Sequence, residues 1–104
     1  MKAETLKGHL DALVLATLRG GPAHGYAVIE ELKRRSEGAF DLAEGTVYPV
    51  LHRLEAEGLL ASSWSTVSGR RRRVYRLTKR GEKALAAREA DWRAFSTAVE
   101  AVLG

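Results

Sequence analysis

Cysteine is absent from the 104 residues, which excludes disulfides, thiolate nucleophiles and thiolate-bound zinc, and leaves the redox compartment undetermined. Proline occurs only as Pro22 and Pro49, so few positions forbid a continuous helix. No apolar run approaches the roughly 18 residues of a membrane span. Asp11 interrupts the short apolar stretch near the start, which lacks the cleavage site of a secretory signal. The expectation is a soluble, cytoplasmic protein with no membrane partner. His9, His24 and His52 are the three histidines, and none lies three or four residues from another. Without thiolates they offer no metal-ligand set. No serine sits in a nucleophile elbow and no glycine-rich phosphate loop occurs. Neither a catalytic residue, a metal nor a cofactor is expected.

Acidic residues are missing from one particular segment. Between Leu60 and Arg80 stand Arg70, Arg71, Arg72, Arg73, Arg76, Lys79 and Arg80, with no Asp or Glu. That segment is +7 in a chain of net +4, which leaves −3 for all other residues. Basicity this local suggests a polyanion site rather than general solubility.

The 45% of hydrophobic residues suffices for one small domain with a modest core. Leu6, Leu10, Leu13, Val14 and Leu18 recur at helical spacing over 6–19, and Gly20, Gly21 and Pro22 stop that helix. A second helix is expected over 23–35, with Tyr26, Ile29 and Leu32 on one side and Val28 widening the stripe. Ser36, Glu37 and Gly38 end it, and Phe40 and Leu42 are expected to tuck into the core. From Glu44 to Gly58 a third helix places Val47, Val50, Leu51 and Leu54 on one stripe. Gly45, Pro49, His52 and Ala56 project opposite, with Tyr48 and Arg53 on the flanks, a small and hydrogen-bonding face poor in carboxylates. Pro49 is tolerable in a first turn, so this helix is expected to begin near 44–46, with Thr46 as an N-cap and Gly58 as an αL C-cap. Leu59 to Val67 and Arg72 to Leu77 read as a hairpin turning at Gly69. Thr78 then caps a long helix over 79–103. Along it Leu85, Trp92 and Val99 are seven apart, with Phe95 and Val102 between and Arg88 breaking the heptad. That stripe packs either back on the domain or against a second copy.

The expected architecture is mainly α with a small β-hairpin. Three helices, the third exposed, followed by a basic hairpin is the order of a winged helix-turn-helix. Arginines on the hairpin suit phosphates, and a helix with a small polar face suits a major groove about 12 Å wide. A protein-interaction module binding an acidic partner through the same arginines is the alternative.

LKGHLDALVLATL, HGYAVIEEL, GTVYPVLHRLEAEGLL and SGRRRRVYRLTKRGEKAL together resemble the PadR family of bacterial transcriptional regulators, in particular its short members with one C-terminal helix. One departure is Val74, where the family often carries a tyrosine. The resemblance implies a winged helix-turn-helix over 1–78 and a dimerisation helix over 79–104. It implies a homodimer, usually a repressor, on a palindromic operator in double-stranded DNA. Thr46, Tyr48, Pro49 and His52 would then meet the groove, Arg70, Arg71 and Arg72 would reach phosphates, and Tyr26 would touch backbone. Tyr48 has an alternative role at the core's edge. Leu85, Trp92, Phe95, Val99 and Val102 would form the dimer interface. Leu13, Trp92 and Phe95 would line a pocket for a small aromatic effector, unless Trp92 is simply dimer core.

Overall fold

The computed structural model describes Leu6 and residues 8–104. Its elements are α1 (Leu10–Thr17), β1 (Ala23–His24), α2 (Gly25–Arg35), α3 (Glu44–Ala56), β2 (Leu60–Val67), β3 (Arg70–Leu77) and α4 (Lys79–Leu103). The expected mainly helical winged fold with a long C-terminal helix is present. The small sheet has three strands rather than two, in the order β1-β3-β2 and antiparallel throughout.

The returning strand begins at Arg70 rather than Arg72, because Arg70 and Arg71 pair with Val67 and Thr66; two helix starts shift for backbone reasons. The first helix does not run unbroken from Leu6, because Gly8 has φ 89° and a turn precedes Leu10; a left-handed residue cannot continue a right-handed helix. Lys7 lies outside the described residues. The second helix begins at Gly25 rather than Ala23, because Ala23 and His24 pair with Tyr75 and Val74 of β3. His24 stays extended (ψ 162°) and caps α2, its Nδ1 accepting from the Ala27 N–H at 3.3 Å.

One core joins every layer. Val14, Leu15 and Leu18 meet Val28, Ile29 and Leu32 of α2 and Val47, Leu51 and Leu54 of α3; Leu60, Tyr75 and Leu85 close it from the sheet and α4. Tyr26 departs from the stripe read for α2: Gly25 and Val28 take the inner positions and Tyr26 is 51% exposed. Phe40 and Leu42 pack against the core as expected.

Turns and caps follow the sequence closely. Gly58 (φ 80°) ends α3 in a Schellman arrangement, with Leu59 N–H on Leu54 O and Gly58 N–H on Glu55 O, both 3.0 Å. Ser68 and Gly69, with φ 52° and 75°, form the two-residue turn whose twist suits a hairpin. Thr78 caps α4 by accepting from the Gly81 N–H at 3.0 Å, and its hydroxyl donates to Gly58 O at 2.7 Å. A Cβ on Gly81 would lie 2.0 Å from the Leu59 carbonyl oxygen, so α4 starts pressed against the end of α3. No described helix is long and apolar enough to cross a membrane.

Candidate nucleic-acid interface

The face of α3 is fixed from beneath. Val47, Leu51 and Leu54 are wholly buried, which turns Thr46, Pro49 and His52 outward, all exposed. Thr46 is not the N-cap: Ala43 is, without a side-chain bond, and Thr46 is the third helical residue. Pro49 consequently falls one turn deeper than expected, inside the helix. The bond it cannot donate would have gone to the carbonyl of Gly45, an exposed residue, where water can replace it. Tyr48 is half-buried, packed against the core. It lies across Gly25 so closely that a Cβ there would come within 2.6 Å of its ring, and its ring centroid is 6.4 Å from that of His52. The alternative role read for Tyr48, at the core's edge, is the one its packing shows, while its ring also neighbours the exposed His52. Arg53, on the same helix, is committed elsewhere: it grips Asp11 of α1, with one bond of 3.0 Å.

The hairpin next to α3 carries the charge. Residues on β2 and β3 pair as Ser62↔Tyr75, Trp64↔Arg73 and Thr66↔Arg71, which puts these six on one face of the ribbon. Arg70, Arg72, Val74 and Arg76 take the other. At the base, Ser62 Oγ donates to Glu55 of α3, Arg73 Nε donates to Ser62 Oγ at 2.8 Å, and Arg73 Nη2 stands 3.7 Å from Glu55. Toward the tip, the guanidiniums of Arg71 and Arg73 stand 4.6 and 5.2 Å from the centroid of Trp64. On the opposite face Arg72 Nη1 lies 2.8 Å from His24 Nε2, half-buried rather than free.

Ion pairing divides the basic residues by location. Among the described residues, Arg19, Lys33, Arg34, Arg35, Arg53, Arg88 and Arg93 each have a carboxylate partner. Within 70–83 only Arg73 has one. Among the described residues, the wing and the start of α4 thus hold the basic charge that has no carboxylate partner.

Tyr26, Trp64, His24 and Glu55 complete the surroundings. Hydrogen bonding to Glu30 and that carboxylate's charge, then burial and Glu44, raise the Tyr26 pKa above the usual phenol value. Burial, then Arg72, lowers the His24 pKa. Trp64, His24 and Glu55 were not singled out from the sequence. The signal for Trp64 was the strand register that sets it opposite Arg73, which becomes visible only once Ser68–Gly69 is recognised as the turn.

Leu13, Trp92 and Phe95 come together as expected, in a groove of about 1090 Å³ between α1 and α4 that Phe40 also lines. The Trp92 ring meets His9 edge-on, with centroids 5.4 Å apart, and lies 6.2 Å from Phe95. Leu85, read as an interface residue, belongs instead to the chain's own core: it is 1% exposed and has no surface left for a partner. The rest of that stripe is open, with Trp92 53%, Phe95 59% and Val102 87% exposed and Val99 half-buried.

A core of three helices, an exposed third helix and a charged wing define a winged helix-turn-helix regulator. The family model "Transcriptional regulator PadR-like family" matches residues 14–87, and the chain belongs to that family. "Transcriptional regulator Rv3488" of Mycobacterium tuberculosis is 46% identical over 81 residues, covering 78% of this chain and 70% of that protein. Among solved structures, a PadR family regulator from Eggerthella lenta superposes with a TM-score of 0.84 at 37% identity, covering 96% of this chain and 86% of that one. One from Clostridium difficile has a TM-score of 0.81 at 32% identity, covering 93% and 100%. Family and fold are those of transcriptional regulators, not of enzymes.

Proposed function

We propose that this chain works as a cytoplasmic homodimeric repressor that reads a palindromic operator. Thr46, Tyr48, Pro49 and His52 meet base edges in the major groove, Tyr26 touches the backbone, and Arg70, Arg71 and Arg72 hold phosphates from the wing. The observation that carries this reading is the partition of ion pairs, since the unneutralised arginines lie on the hairpin whose base is bonded to α3. An acidic protein partner would also suit those arginines. The small, exposed face of α3 beside them favours duplex DNA, because a groove needs both a charged contact and an insertable helix. Two copies join through Trp92, Phe95, Val99 and Val102 of α4, and the Leu13–Trp92–Phe95 groove admits a flat aromatic effector that relieves repression.

Selection of bound sites from random duplex DNA tests the reading. A palindrome is the expected product, and it would give symmetry and half-site spacing together. Equal affinity of the parent protein for selected and scrambled duplexes would sink it.

A further inference from the structure

Trp64 has no place in that account, yet it occupies the middle of β2 and is 56% exposed. An indole so exposed contributes little to the core. Its neighbours give it another role. From α3 outward, Glu55 faces Arg73, Arg73 stands over Trp64, and Trp64 lies beneath Arg71 near the hairpin tip. The row links the helix that carries the reading face to the arginine farthest out on the same face of the wing.

The two arginines differ in what they have left to give. Arg73 donates from Nε to Ser62, and its charge is paired with Glu55 at 3.7 Å. Arg71 has no carboxylate partner among the described residues, and stacking engages only the flat face of a guanidinium. The N–H edge stays available for a phosphate. An unsupported arginine loses rotamer freedom when it binds, whereas one already resting on an indole has lost part of it beforehand.

Resting on the DNA-binding reading above, we propose that Trp64 is a positioning residue for the wing. It holds Arg71 as a pre-ordered phosphate clamp, aligned with α3 through Arg73 and Glu55. Trp64 is uncharged, so its removal leaves the protein's electrostatics unchanged and isolates the positioning effect.

The test uses the full chain, a labelled mixed-sequence duplex and a salt titration, with urea midpoints to certify each variant's fold. Trp64→Ala is expected to weaken binding about two- to fivefold per bound protomer, the range of an exposed cation–π contact. The slope of log affinity against log salt should fall by about 0.9 per phosphate lost. Trp64→Phe should restore most of both. Adding Trp64→Ala to Arg71→Ala should cost little more than Arg71→Ala alone, because the indole then has no guanidinium to hold. Glu55→Gln removes a negative charge near a polyanion, so simple electrostatics requires tighter binding; the positioning role requires weaker binding. Additive losses from Trp64→Ala and Arg71→Ala, or a tighter-binding Glu55→Gln, would overturn the proposal and leave DNA binding standing. A parent protein indifferent to the duplex would overturn both.

Discussion

At position 24 a single imidazole ends β1, caps α2 and meets the wing. Nδ1 faces the Ala27 N–H and Nε2 faces the Arg72 guanidinium, so both nitrogens confront donors. A neutral ring can accept from one of them, and a protonated ring from neither. Burial and Arg72 lower its pKa against a smaller opposing pull from Glu30. The folded protein therefore holds fewer protons here than the unfolded chain, and stability rises with pH across that gap. The contribution is complete above the unfolded value near 6.5 and is lost as pH falls from there toward the lowered folded value. Urea midpoints from about pH 8 to 5 should show this decline, and His24→Asn, which keeps a capping acceptor, should flatten it. An unchanged slope in that variant would assign the pH dependence to other groups. His24 illustrates what one sequence could not show at this scale. Its three partners come from positions 27, 72 and 74, and no local periodicity connects them. Tyr48 was half legible for the same reason: the α3 stripe put it on a flank, while the missing Cβ of Gly25 that lets it lie flat belongs to another helix.

Whole elements were read more easily, because their signals are local. Gly58, Thr78 and the Ser68–Gly69 turn depend on backbone conformation or capping chemistry within a few residues, and each does what its type demands. β1 escaped because a two-residue strand exists only by virtue of β3 beside it. Arg88, which looked like a break in the α4 heptad, turns out to have its own function in packing elements together. It stands 3.6 Å from Asp11 of α1, the same carboxylate that Arg53 of α3 grips, while Arg19 of α1 meets Glu89 of α4. Asp11 thereby links α1 to both α3 and α4. Its side chain is 16% exposed but those of Arg53 and Arg88 are 49% and 37% exposed, so water and salt screen the pairs. Asp11→Asn should cost only about 1 kcal/mol, and the parent's loss of stability at high salt should shrink with it. A urea midpoint identical to the parent's at low salt would mean that apolar packing alone fixes α4.

For the whole molecule, the extents of 55 × 28 × 20 Å show a body with an arm. α4, 25 residues and about 37 Å long, buries Gly81 and Leu85 in the core and then outruns it. The 78/79 boundary thus separates elements and not cores: the first two turns of α4 complete the winged unit. Beyond them Trp92, Phe95, Val102 and Leu103 remain exposed on a helix too long for the body it serves, an arrangement costly in water for a lone protomer. A second copy covering this stripe would repeat every DNA contact by two-fold symmetry, and that repetition is measurable. In a symmetric dimer Arg71→Ala removes two phosphate contacts and should flatten the salt slope by about 1.8, against about 0.9 for a protein that binds singly. Trp92→Arg places a charge in the stripe without touching α3 or the wing. It should give a monomer by sedimentation with the winged core intact, and operator affinity should collapse toward that of one half-site. A dimeric Trp92→Arg variant with parental affinity would show that the exposed end of α4 is not what brings two copies together.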